Sequence, residues 1–312
     1  MRRNARPAHL HPTPSPNHNE QVLIATGDKT VPPEFTMPGF PIPENPGDSS
    51  VEAAIAAFGI DYENGTTELA REALNILDSA AASFPEEGLG AYLDGIGVLI
   101  LLTRPNIAAV KNAVSRALAD GPLIHPGQAK RAFDRARSWI DYAARATVEE
   151  TAAMIPDGAT IVTCSYSGTV LEACSVAVDS GKHLRAIVLT SRVGDVAYGE
   201  RMADALLTHG VTAEIYPDEV DLNALTPITM ALLGAARIAP DGSLVNGIPS
   251  RLLADHIQGI APLYVAGETF KLDDTEQIEE GLEAIPANLI EGYVTDRGVV
   301  QTDQVWDLTR SS

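Results

Sequence analysis

The chain has 312 residues, 45% of them hydrophobic and 21% charged, with 25 glycines and 21 prolines. That composition excludes collagen-like and wholly disordered readings, and the length is enough to bury a full core. A formal net charge of −20, from 42 acidic against 22 basic residues, disfavours nonspecific attraction to nucleic acid or anionic lipid.

Two cysteines, Cys164 and Cys174, make no disulfide scaffold and show no metal-ligand spacing with histidine. A reduced, cytoplasmic setting is expected, with no metal and no organic cofactor. The apolar run from Ile96 to Leu102 is too short for a membrane span, so no membrane partner is expected.

Residues 1–50 are rich in proline, asparagine, histidine and glycine and read as an arm, because proline removes backbone donors and fixes local dihedrals. From 51 to 154 the texture is helical. Thr66 or Thr67 is placed to cap a helix whose Leu69, Ala70, Ala73, Leu74, Ile76 and Leu77 share one face, and 107–119 and 125–154 repeat that periodicity. Residues 155–312 then alternate strands with helices: strands at 159–163, 185–190 and 211–216, helices at 169–178 and 198–207, and further strands within 228–238 and at 263–266. This is the pattern of an α/β protein with a parallel, doubly wound, Rossmann-like sheet behind an N-terminal helical domain. Its ligands are expected at the carboxyl ends of the strands.

At the first of those ends stand Thr163, Cys164, Ser165, Tyr166, Ser167, Gly168 and Thr169. Hydroxyls, a permissive glycine and the free amides of a helix N-terminus suit phosphate oxygens, although Ser167 or Thr169 could equally serve only as a helix cap. No Gly-Lys-Ser or Gly-Lys-Thr ending is present, so this is not a Walker loop. Cys164 is open to two readings, an activated thiol at a helix N-terminus or a small buried residue.

Arg192 follows the second strand and offers directed donors to the same anion, with a surface ion pair as the alternative. Arg104, ahead of Pro105, reads either as a ligand-capping residue or as a domain-domain salt bridge. Asp241 precedes Gly242 and reads as a turn or as an acid–base group; Asn246 offers an amide to a sugar hydroxyl or to its own loop; Glu268 and Lys271 line a site or pair with each other.

Taken in order, TRPNIAAVKNAVSRAL at 103–118, IVTCSYSGTVLEA at 161–173, LTSR at 189–192, GAARIAPDGSLVNGIPSRLLA at 234–254, YVAGETFKLDD at 264–274 and IPANLIEGYVTDRGVV at 285–300 resemble one family. It comprises the alpha, beta and delta subunits of translation initiation factor 2B, methylthioribose-1-phosphate isomerase and ribose-1,5-bisphosphate isomerase. The resemblance implies a helical domain, a Rossmann-like domain and a homodimer or higher homo-oligomer. It also implies phosphate held by Arg104, Ser165, Ser167, Gly168, Thr169 and Arg192.

Departures fall at the reaction centre. Ser165 stands where the family's isomerases place a catalytic cysteine, Ala236 where they place an aspartate, Asn246-Gly247 where they carry Asn-Lys, and Asn64-Gly65-Thr66 where they carry Arg-Gly-Ala. These changes speak against an unchanged isomerase mechanism. Two main readings follow. One is an aldose–ketose isomerase with altered chemistry, in which Cys164, Asp241 or Glu268 handles protons; the other is a catalytically silent sensor of a sugar phosphate or nucleotide. A purely structural assembly subunit is a third, and a nucleic-acid partner is not expected.

Overall fold

The computed structural model describes residues 49–119, 121, 123–225 and 227–311. The arm expected over 1–50 lies outside them except for its last two residues, which open the first helix. Five helices come first: α1 (Ser49–Gly59), α2 (Thr66–Ser83), α3 (Leu89–Thr103), α4 (Ala108–Leu118) and α5 (Pro126–Met154). In α2 the buried Leu69, Ala70, Ala73, Leu74, Ile76, Leu77 and Ala80 recur at helical spacing, as the sequence pattern required. The helix starts differently from expectation. Gly65 is its N-cap and offers no side-chain bond, and Thr66 is already helical.

The apolar run 96–102 lies inside α3, where the missing side chain of Gly97 lets Leu118 and Val114 of α4 approach. Helix α5 opens with Pro126, whose absent N–H costs nothing in a first turn, and runs 29 residues, roughly 43 Å of axis. Its inward stripe is mostly alanine, with Phe133, Ile140 and Val148 as the larger members. One helix thereby packs against α2 and α4 as well as against the sheet.

After α5 the chain enters strand and helix alternation: β1 (Thr160–Thr163), α6 (Gly168–Asp179), β2 (Arg185–Leu189), the two-residue strands β3 (Arg192–Val193) and β4 (Val196–Ala197), α7 (Tyr198–Thr208) and β5 (Thr212–Tyr216). There follow β6 (Met230–Gly234), β7 (Arg237–Ile238), β8 (Leu244–Gly247), α8 (Ser250–His256), β9 (Leu263–Ala266), β10 (Leu282–Ile285), β11 (Gly292–Thr295) and β12 (Gly298–Val300).

Seven strands form the main sheet in the order β12-β11-β9-β6-β1-β2-β5. All its pairings are parallel except that of β12 with β11. The expected parallel α/β sheet is therefore present, with one antiparallel edge. The apolar run 228–238 does not make one strand: it breaks after Gly234, and Arg237–Ile238 joins a second, antiparallel sheet, β10-β8-β7.

Strand alternation divides the interior in two. Ile161, Ala186, Val188 and Leu232 pack with α6, α7 and the end of α5 on one face; Val162, Ile187, Leu189, Leu233 and Val265 pack with α8 on the other. Each of the valine, leucine and isoleucine side chains among these contributes about 1.5–3 kcal/mol by leaving water. No helix among the described residues is long and apolar enough to cross a membrane.

Candidate functional site

The chain lays β1, β2 and β5 outward in one direction and then returns to place β6 on the other side of β1. The carboxyl ends of β1 and β6 thus diverge into loops on either side of a crevice, the place where open parallel sheets bind ligands. A cleft of about 740 Å³ opens there. Ser165–Thr169 line it from β1, Ala235 and Ala236 from β6, Asn246 and Gly247 from β8, Glu268 and Lys271 from β9, and Arg104 from the end of α3.

Ser165 adopts φ 60°, the left-handed region that side chains rarely occupy. Its N–H donates to Ser191 Oγ at 2.7 Å, and Ser191, itself at φ 52°, donates its own N–H to Asp218 at 2.8 Å. Two strained serines are thereby pinned by a carboxylate from the loop after β5. Ser167 caps α6, its Oγ accepting from Val170 N–H at 3.3 Å, and Thr169 Oγ1 donates to Glu268 at 2.9 Å. The amides of Gly168 and Thr169 lie in the first turn, where no intrahelical acceptor exists, and both residues line the cleft at the positive end of the helix dipole.

Glu268 and Lys271 do both things the sequence allowed. They line the cleft and pair with each other at 2.7 Å, with side chains 1% and 5% exposed. Arg104 is buried as well. Its Nη1 donates to the Asp61 carbonyl at 2.8 Å, its Nη2 meets Glu279 at 3.2 Å, and its guanidinium lies 4.9 Å from the centre of the Tyr62 ring. The 61–65 loop that receives it is organised by Asp61, whose carboxylate accepts from the Glu63 and Asn64 amides and the Asn64 side chain. Partial burial works against that carboxylate, but the hydrogen bonds outweigh it and hold it below the ordinary aspartate range.

Three expected site residues lie elsewhere. Arg192 was expected to share the anion with Arg104; instead the β3–β4 hairpin carries it outward, where it is half exposed and pairs with Glu200 at 3.3 Å. Cys164 points into the hydrophobic core, with its sulfur 3.3 Å from Ser250 Oγ. Burial pushes its thiol up to about 12, so at neutral pH it carries no thiolate. Asp241 sits in an exposed turn outside the cleft lining, bonded to the amide and hydroxyl of Ser243, which hold its carboxyl below the usual range. Asn246 reaches the cleft, yet its amide also donates to Ser250 Oγ at 2.9 Å.

Residues that sequence reasoning did not single out complete the lining. Tyr62, Tyr166 and Tyr198 stand along it; Arg201 lies over the Tyr166 ring at 4.3 Å, and Tyr198 and Arg201 donate to the Tyr62 and Glu63 carbonyls. Asp218 and Ser250 act from behind. Asp218 lies outside every quoted segment, and Ser250, although inside 234–254, carries no local sign of reaching Cys164 86 residues away.

Electrostatically the cleft is unusual for an anion site. Its cationic side chains are Arg71, Arg104 and Lys271, and each already holds a carboxylate. Glu63, Glu68, Glu172, Glu268, Glu279 and Glu280 also line it. The first-turn amides of α6 add donors that bring no counter-charge with them. Chemically the site can orient an anion, while Ser165 and Ala236 bring neither thiolate nor carboxylate to the mouth of β1 and β6.

Comparison with known proteins agrees with this architecture. A putative translation initiation factor eIF-2B subunit 2-like protein of Pyrococcus abyssi is 26% identical over 257 residues, covering 76% of this chain and 91% of that one. A ribose 1,5-bisphosphate isomerase of Haloferax volcanii is 30% identical over 175 residues, so the match spans 54% of either chain. The crystal structure of Pyrococcus horikoshii OT3 translation initiation factor eIF-2B superposes with a TM-score of 0.74 at 22% identity, covering 81% of this chain and 97% of that one, a likeness of fold. Residues 63–285 match the IF-2B family model, and the chain belongs to the initiation factor 2 subunit family.

Proposed function

We propose that this protein binds a phosphorylated small molecule, of the sugar-phosphate kind, in the cleft between β1 and β6. The observation that carries the proposal is the open first turn of α6, with its Gly168 and Thr169 amides, at the switch point of the sheet and within the same cleft as the buried Arg104. A relative named as a ribose 1,5-bisphosphate isomerase supports the sugar-phosphate class. Arg104, Ser165, Ser167, Gly168, Thr169 and Asn246 are the groups assigned to the ligand.

Between turnover and silent binding, the side chains favour silent binding. Carbonyl migration needs a group to carry a proton between neighbouring carbons, and the buried Cys164 thiol and the distant Asp241 do not reach the cleft. Glu268 is the buried carboxylate at the site, and it is committed to Lys271 and Thr169. A homodimer is the assembly we expect, to be measured by light scattering.

Calorimetric titration of the full chain with ribose 5-phosphate, ribose 1,5-bisphosphate and unphosphorylated ribose tests the binding. Saturable heat with the phosphates and none with ribose is expected, together with no ketose product from ribose 1,5-bisphosphate. Equal responses to ribose and ribose 5-phosphate would remove the phosphate from the proposal.

A further inference from the structure

Of the three cations lining the cleft, two are poor recipients for a ligand's charge. Arg71 sits in exposed pairs with Glu68 and Asp141, which solvent screens. Lys271 is locked to Glu268 in a buried network that also takes Thr169. Arg104 differs from both. The Asp61 carbonyl and the Tyr62 ring fix its guanidinium whatever happens at Nη2, and Nη2 makes one end-on contact, at 3.2 Å, with Glu279. Charge-assisted bonds of this type are usually 2.7–2.9 Å and often bidentate, so the seat is filled loosely.

Glu279 belongs to a segment whose backbone is fastened on both sides of it. Asp273 takes Lys111 in an ion pair at 2.6 Å, Arg237 Nη1 donates to the Gln277 carbonyl at 2.7 Å, and Ile248 N–H donates to the Gly281 carbonyl at 3.0 Å. Between those anchors the Glu279 carboxylate can swing about its own side-chain bonds without moving the chain. Without Glu279 the buried Arg104 would stand as a charge lacking a counter-ion, which is costly.

We infer that Glu279 is an internal counter-anion on Arg104, a specificity-determining residue that a ligand's phosphate must displace. The inference rests on the phosphate reading of the cleft. A carboxylate ligand would exchange one single charge for another and gain nothing at Arg104. A phosphate dianion brings a second charge and further acceptor oxygens, which the α6 amides take at the same time. Glu279 thereby screens against monoanions while keeping the empty site neutralised.

The test is calorimetry on the full chain with ribose 5-phosphate and with ribonate, a five-carbon polyhydroxy monocarboxylate, for wild type, Glu279→Gln and the control Glu276→Gln. Glu276 is exposed and outside the cleft lining, so its removal reports the effect of net charge alone. Glu279→Gln is expected to tighten ribose 5-phosphate by about tenfold, the scale of one close charge pair, and to make ribonate binding measurable. Glu276→Gln should change either by less than about twofold. If wild type binds ribose 5-phosphate and Glu279→Gln binds it no better, the inference is overturned while the phosphate reading stands. If wild type and a folded Glu279→Gln both fail to bind it, the phosphate reading falls and takes the inference with it.

Discussion

Gly234 ends β6 with its α-carbon against Ser167, the cap of α6. A methyl group built at that position would run into Ser167 Oγ and lie 2.8 Å from Ser167 Cβ, so the glycine is what lets the two strand ends close over the helix start. Gly234→Ala should cost about 1–3 kcal/mol, the range for overpacking. Gly95→Ala in α3, where nothing lies within 4 Å of the added carbon, should instead be neutral or stabilise by up to about 1 kcal/mol. Urea unfolding of the two variants side by side checks both signs. Gly247 has the same relation to Ser165, whose Oγ would be 2.6 Å from an added carbon. Cys164 shows the limit of reading residues in sequence: it continues the alternation of β1 onto the face of Val162 and so enters the core, and the chain leaves the extended conformation only at Ser165.

At the scale of elements, β9 and α6 are joined through Glu268, which lies at the end of the strand and accepts from Thr169 in the helix. Its charge is balanced by Lys271, three residues on, in the short 3-10 turn Thr269–Lys271. Removing one partner of a buried pair leaves the other uncompensated, and Lys271→Met should destabilise by about 3–5 kcal/mol. The double variant Glu268→Gln with Lys271→Met should recover part of that loss, because no buried charge remains. A double-mutant cycle in urea measures the difference, and a double variant no more stable than Lys271→Met would contradict the pairing. The helices α2, α4 and α5 were legible because their apolar periodicity is strong. The division of 228–238 into β6 and β7 was not, since an apolar run carries no mark of which sheet each part will join.

Across the whole molecule, α4 is tied to the segment after β9. Asn112 donates to the Phe270 and Leu272 carbonyls, and Lys111 meets Asp273 at 2.6 Å. Burial opposes the charge on Asp273, but the bonds from Lys111 and Thr275 prevail and hold its carboxyl below the ordinary 3.8. The bond from Asp273 raises Lys111 above 10.5 against a smaller cost of burial. A lowered carboxyl stabilises above its unfolded value and loses that contribution as pH falls through the folded one. A raised ammonium stabilises below its unfolded value and loses it as pH rises through the folded one. The tie is therefore complete between pH 3.8 and 10.5 and weakens outside that window. The melting-temperature gap between wild type and Lys111→Met should be steady from pH 5 to 8 and shrink below about pH 4. A gap independent of pH down to pH 2 would exclude the ion pair as its origin.

The helical first part, the parallel α/β second part and the hydroxyl-rich turn before α6 were set by local order along the chain: apolar period, strand length and cap chemistry act over a few neighbouring residues. The turn at Asp241 and the Glu268–Lys271 and Glu68–Arg71 pairs are local too; the burial of Cys164 against Ser250 and the bonds joining Arg104 to Glu279 and Thr169 to Glu268 were decided only by the folded structure. Each depends on which distant segment arrives opposite: Glu279 lies 175 residues beyond Arg104, and Glu268 lies 99 beyond Thr169. Charges and hydrogen bonds act over a few ångströms of space, and the distance along the chain between two groups does not determine whether they meet.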